Sequence, residues 1–173
     1  MNYKDIPSYC DYHEFYRNAF NALPDGAVMA EVGVYLGHSV VFMAELAKES
    51  GKNITIYAVD TFEGSEEHKR KGITNFLEQY KRNVKPYEKY VVTCIGKSTE
   101  VAKTLKVNFD FVFLDAAHDY ESVKADIEAW GPKAKILAGH DYNKMWPGVV
   151  KAVDELVPDR ILTSKSVWLS NVW

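Results

Sequence analysis

Little in this sequence is concentrated. Cysteine occurs twice in 173 residues, at Cys10 and Cys94, far apart and outside any metal-type spacing, which excludes a disulfide framework and a zinc-finger-like module. No apolar run approaches the roughly 20 residues that a membrane span needs, and no repeat or low-complexity tract is present. The opening MNYKDIPSYC has no apolar run of the secretory type, so the expected location is unexported, reducing and cytoplasmic. Neither sign of charge dominates: 21 basic against 24 acidic residues leave a net charge of −3, with no basic face to draw nucleic acid or acidic lipid. What the chain does have is apolar residues, at 47% hydrophobic and 26% charged. That balance fits one compact domain over residues 1–173, an N-terminal helix and short lid over 1–23 preceding a core over 24–173. Small-molecule chemistry is the class left standing.

Strand-like and helix-like segments alternate along the chain. Short, nearly continuous apolar runs at Val28 to Gly33, Ile54 to Val59, Tyr90 to Ile95, Phe109 to Leu114 and Ile136 to Ala138 read as strands buried on both faces. Between them Ser39 to Lys48, Ile73 to Val84, Ser98 to Leu105 and Tyr120 to Trp130 carry helical spacing, the last stopped by Gly131-Pro132. A helix over Tyr12 to Leu23 precedes them, and one opened by Pro147 follows. Ile161-Leu162 and Val167 to Val172 predict a terminal antiparallel hairpin. The fold class is therefore α/β: a doubly wound, Rossmann-like, mostly parallel sheet in three α/β/α layers. The segment GSEEHKRKG from Gly64 is too charged for a core and reads as a surface loop or a movable flap.

In such a sheet a ligand sits beyond the carboxyl ends of the strands. Those ends are polar or glycine at all five places: Gly33, Asp60-Thr61, Gly96-Lys97-Ser98, Asp115 with His118 after it, and His140-Asp141. Asp60 follows Gly37 at about the interval where an acid accepts hydrogen bonds from ribose hydroxyls. The first strand end reads E-x-G-x-x-x-G, with Tyr35 and Leu36 where a pyrophosphate would need open space, so a dinucleotide fits poorly. An acid at Glu31 suits a ligand carrying an ammonium or sulfonium cation. S-adenosylmethionine is such a ligand. Gly33 is expected to approach it too closely for a side chain, although a glycine pair at a strand-to-helix turn also serves tight packing. Ser39 reads as the cap of the following helix, and Phe62 as either an adenine shelf or core. His118 suits a general base or the cap of the helix beginning at Tyr120. Cys94 reads as a small buried hydrophobe.

EVGVYLGHS, YAVDTFEGS, FVFLDAAHDYESVKADIEAW and GHDYNKMWPGVVKAVDE, in that order, resemble the successive signatures of class I S-adenosylmethionine-dependent methyltransferases. The likeness is greatest to the small O-methyltransferase group related to macrocin and catechol methyltransferases and to cephalosporin-pathway proteins, and runs from about Ala30 to Glu155. The resemblance implies a seven-stranded sheet with its last strand antiparallel. It also implies a cofactor set of Glu31, Gly33, Tyr35, Gly37, Ser39, Asp60, Thr61, Phe62, Ser98 and Asp115, with Asp60 on the ribose, Ser98 beside the adenine and Asp115 under the methionine moiety. Catechol-type members hold magnesium with an Asp-Asn pair after the fifth strand, where this chain reads His140-Asp141-Tyr142. Asp115, His140 and Asp141 are the candidate ligands of a divalent cation, Mg2+ or another, and His118 and Asp115 the candidate catalytic residues. The expected partner is a small-molecule acceptor, neither nucleic acid nor membrane, with a homodimer left open. Two other classes share this sheet: a nicotinamide-dependent reductase, which needs the pyrophosphate turn missing at Gly33 to Gly37, and a non-catalytic binder, which needs no polar groups at the fourth and fifth strand ends.

Overall fold

A computed structural model describes residues 2–64 and 76–170. Seven strands, β1 (Ala27–Val32), β2 (Ile54–Asp60), β3 (Val91–Ile95), β4 (Phe111–Leu114), β5 (Leu137–Gly139), β6 (Ile161–Leu162) and β7 (Trp168–Ser170), form one sheet in the order β3-β2-β1-β4-β5-β7-β6. The first five are parallel, and β7 runs antiparallel to both β5 and β6. The helices are α1 (His13–Ala22), α2 (His38–Ser50), α3 (Phe76–Val84), α4 (Ser98–Thr104), α5 (Tyr120–Trp130) and α6 (Pro147–Leu156). The expected start of α3 at Ile73 and the charged flap lie outside the described residues, as do the last residues of the expected hairpin.

The period-2 geometry of a strand sends successive side chains to opposite faces, and the two hydrophobic cores follow that alternation. Met29, Ile56, Ala58, Phe111 and Phe113 pack with Tyr16 and Phe20 of α1, the buried face of α2, and Phe76 and Tyr80 of α3. Ala30, Val32, Val59, Val112 and Leu114 pack with Ala102 of α4, Ile127 and Trp130 of α5, and Val149 and Val153 of α6. Three α/β/α layers result. Among the described residues no helix is long and apolar enough to cross a membrane.

Several local expectations are corrected. β3 is not buried on both faces: as an edge strand paired only with β2, it leaves Val92 and Ile95 exposed, and Cys94 on it is only partly buried. The same holds for Ile161 and Leu162 of β6 at the other edge. Ser39 does not cap α2. Gly37 does, at φ 83°, a left-handed conformation open to glycine at little cost, and Ser39 lies within the first turn. Asp119 rather than His118 caps α5, accepting from the Ser122 N–H at 3.0 Å. α6 opens on Pro147, as expected, with Trp146 before it.

The sheet order reverses between β1 and β4, each continuing outward from that pair. This is the switch point at which doubly wound sheets open a crevice at their carboxyl ends. Backbone hydrogen bonds carry the ladder past the strands themselves: Gly33 N–H to Val59 O, Asp115 N–H to Val32 O and His140 N–H to Leu114 O, at 2.8, 2.8 and 3.1 Å. Asp115 and His140 are thereby held side by side at the crevice.

Candidate active site

The loop from Gly33 to Gly37 is shaped by backbone chemistry. Gly33, Tyr35 and Gly37 all have positive φ, at 90°, 49° and 83°. The Asp60 carboxylate holds the turn: one oxygen accepts from the Val34 and Tyr35 N–H groups at 2.9 and 3.0 Å, the other from the Phe62 N–H at 2.8 Å. Three of about four lone-pair positions are thus occupied, leaving one for a ligand hydroxyl. Phe62, itself at φ 57°, is buried against Tyr80, so its ring belongs to the core. Thr61 Oγ1 accepts from the Glu63 N–H at 3.3 Å. The missing side chain of Gly33 makes room for protein: a Cβ there would stand 2.2 Å from the Asp115 carbonyl oxygen. At Gly37 a Cβ would meet the Tyr80 ring at 3.0 Å. The space cleared by both glycines is taken by packing, not left open to a ligand.

Glu31 is fully buried at the end of β1. Ser39 Oγ donates to its Oε1, while Oε2 is sealed from water without a hydrogen-bond partner. Burial pushes this carboxyl up to about 8, against the opposing pull of the Ser39 and Tyr16 hydroxyls and with the help of nearby Asp115 and Asp60. A cationic ligand bound nearby would favour the ionised form and draw the proton off.

The ends of β4 and β5 bring three ligating atoms together. His140 Nδ1 lies 3.7 Å from Asp115 Oδ1 and 3.4 Å from Asp141 Oδ1, too far for direct hydrogen bonds. One oxygen or nitrogen from each of the three residues falls within 4.8 Å of the others. Burial disfavours charge on His140, but the Asp115 and Asp141 carboxylates outweigh it and hold the imidazole protonated up to about 10. Burial likewise raises Asp141, but His118 and His140 outweigh it and keep its carboxyl well below the usual range. The His140 imidazole thus stands between the Asp115 and Asp141 carboxyl groups. A divalent cation in place of that proton fits the donor set. On the far side of the His140 ring, buried Nε2 lies 3.3 Å from Asp11 Oδ1 without hydrogen-bond geometry.

Around this trio His118 Nε2 meets Asp141 Oδ2 at 2.8 Å, and its ring stacks on Trp146 at 3.9 Å and 18°. Asp141 has φ 63°, an uncommon conformation for a non-glycine residue that turns it toward both histidines. Tyr12, at the head of α1, donates its hydroxyl to Asp115 Oδ2 at 2.9 Å. Burial and the Asp115 charge hold that phenol well above its ordinary value, so it stays a donor. Asp11, Tyr12 and Trp146 escape a reading of the sequence because their partners are distant in the chain, 103 residues away for Tyr12. Ser98 stands apart from the rest: its Oγ accepts from Trp130 Nε1 at 2.7 Å and also meets Asp126, tying α4 to α5.

Residues 30–142 match a family model described as a methyltransferase domain. Among solved structures the chain is similar to the O-methyltransferase NovP, at 20% identity over 92% of this chain and 78% of that one, with a TM-score of 0.73. It is also similar to apo CalS11, a TDP-rhamnose 3′-O-methyltransferase of calicheamicin biosynthesis, at 19% over 92% and 76%, with a TM-score of 0.65. An rRNA methylase from Streptococcus thermophilus matches at 12% over 97% and 100%, with a TM-score of 0.66. At these identities the shared property is the fold.

Proposed function

The chain belongs to the methyltransferase-domain family, and from that premise we propose that it methylates a hydroxyl of a small molecule, using S-adenosylmethionine as donor and a divalent cation held by Asp115, His140 and Asp141. The observation that carries the proposal is the convergence of those three residues at adjacent strand ends, with the imidazole Nδ1 3.4 and 3.7 Å from the two carboxylate oxygens. When bound there, a divalent cation supplies Lewis acidity that lowers the pKa of an acceptor hydroxyl and orients it.

The chain's own residues have separate tasks. Asp60 braces the loop that follows β1 and keeps one acceptor position for ribose. Glu31 presents a carboxyl that a sulfonium or ammonium group can ionise. Tyr12 fixes Asp115 from outside by its hydrogen bond, and the Asp11 carboxylate lies behind His140. Asp141 takes the Nε2 side of His118, leaving Nδ1 to accept a proton from the acceptor hydroxyl. The stacked His118 and Trp146 rings supply a flat platform suited to a small planar or sugar-like acceptor, and the net charge of −3 favours such an acceptor over nucleic acid.

A second reading rests on the high proton affinity of His140: the imidazolium itself balances Asp115 and Asp141, and His118 works as a base without metal. Turnover of a panel of phenolic and glycosidic hydroxyl acceptors, after EDTA and after restoring each ion, separates the two. Activity lost on chelation and in Asp141→Asn, and restored by an ion only in the wild type, is expected. Turnover that survives both treatments would establish the metal-free reading.

A further inference from the structure

A second group of ligating side chains lies outside this site, where the N-terminal segment meets α1 and α2. The Cys10 sulfur and one nitrogen each of His13 and His38 fall within 4.8 Å of one another. Their surroundings are those of an oriented ligand set. His38 Nδ1 lies 2.9 Å from the Ile6 carbonyl oxygen, which can only accept, so the proton sits on Nδ1 and Nε2 keeps its lone pair. That nitrogen points at His13 Nε2, 2.7 Å away. The His38 Nε2 lone pair therefore accepts from His13 Nε2–H, and a backbone carbonyl on the opposite ring nitrogen is how ligating histidines are oriented. The Tyr3 ring stands 5.3 Å from each imidazole and the Phe42 ring 4.9 Å from His13, walling the pair with apolar surface. The Cys10 backbone N–H donates to Ser8 Oγ at 2.8 Å, which holds the segment carrying the sulfur.

We propose that Cys10, His13 and His38 form a binding site for a thiolate-compatible transition metal, best matched by Zn2+, that fastens the N-terminal segment to the head of α2. One sulfur and two imidazole nitrogens without a carboxylate are a zinc-type set, and three protein ligands leave a fourth position for water or another donor. As the sulfur–metal bond forms, the thiol proton passes to solvent, with no change of oxidation state. Burial holds that thiol up to about 12, so one proton is released per ion bound at neutral pH. The two nitrogens must part from 2.7 Å to roughly 3.3 Å, the separation that two bonds of about 2.0–2.1 Å set at a tetrahedral angle. His38 directly follows Gly37, and Tyr9 lies against Tyr35 with ring centroids 6.1 Å apart, so the ion would pin the N-terminal segment beside the glycine loop. None of these three ligands takes part in the methyl-transfer reading, and the two sites stand or fall separately.

The test uses Co2+ as the spectroscopic probe on the full, reduced chain, in wild type, Cys10→Ser, His13→Asn and Asp141→Asn. Wild type and Asp141→Asn are expected to bind Co2+ with a thiolate-to-metal charge-transfer band and the visible bands of a tetrahedral ion. Cys10→Ser should lose the charge-transfer band. In competition with a chromophoric chelator, with Asp141→Asn present throughout, Cys10→Ser and His13→Asn should each bind Zn2+ at least about 100-fold more weakly than Asp141→Asn alone. Circular dichroism in chelator checks that each variant is folded, and should one ligand variant fail to fold, the other carries the same readout. Absence of the band in wild type, its survival in Cys10→Ser, or its loss in Asp141→Asn would each overturn the assignment.

Discussion

Replacing Glu31 by glutamine tests the buried carboxyl at the end of β1. In the folded protein this group ionises at about 8, against an ordinary value of 4.5. A raised folded-state value means that the native state holds the proton more tightly than the unfolded chain. The associated stability is present in full below pH 4.5 and is lost as pH rises through 8. Each tenfold difference in proton affinity between the two states is worth about 1.4 kcal/mol, so the loss across that window is on the order of 4–5 kcal/mol, most of it already incurred at pH 7. Glutamine is neutral at every pH and nearly isosteric, so Glu31→Gln should abolish that slope. Urea unfolding of both proteins from pH 4.5 to 9, without cofactor, gives two stability curves. Their difference isolates Glu31, because His140 and Asp141 titrate in both. The variant is expected to gain on the wild type steadily as pH rises and to be the more stable at pH 8. The same group should make cofactor binding release close to one proton at pH 7, seen as a dependence of calorimetric heat on buffer ionisation enthalpy and absent in Glu31→Gln. Parallel stability curves would show that the carboxyl is ionised in the native protein at neutral pH and would refute the reasoning.

Asp60→Ala removes the acceptor of three backbone N–H groups, and should cost about 2–3 kcal/mol of stability while weakening S-adenosylhomocysteine by at least about tenfold. Thermal melts and calorimetry measure the two, and an unchanged melting temperature would show that the turn stands without its brace. Gly33→Ala places a Cβ 2.2 Å from the Asp115 carbonyl oxygen at φ +90°, for an expected loss of at least about 3 kcal/mol. Gly51→Ala has a similar φ but open space around its Cβ and should cost only about 1–2 kcal/mol. Equal losses in urea unfolding would remove packing from the account of Gly33.

How far the site could be read in the sequence differs from residue to residue. Asp115 and His140-Asp141 stand out because each interrupts an apolar strand at its carboxyl end, where the fold class places a ligand. Asp60 stands out in the same way, but its engagement with Val34, Tyr35 and Phe62 does not. Ser39 and His118 look like caps, since helix-start propensity is a local signal. Packing assigned the caps to Gly37 and Asp119, freeing Ser39 to reach Glu31 and His118 to reach Asp141. The exposure of β3 is hidden in the sequence because a run of apolar residues looks alike in a central strand and in one half-covered at the edge.

The sequence by itself determined the kinds of element, their alternation, the two-faced core and the polar character of the strand ends. Side-chain periodicity and turn chemistry depend on neighbours in the chain, so their record is local. Only the tertiary structure decided that β4 lies beside β1 and β5 beside β4, that a left-handed Asp141 turns toward two histidines, and that Asp11 and Tyr12 reach across to the ends of β5 and β4. It also decided that Cys10 and His13 meet His38. Such meetings depend on sheet register and on how one packed layer settles on another, and they leave no mark in the spacing of the residues that take part.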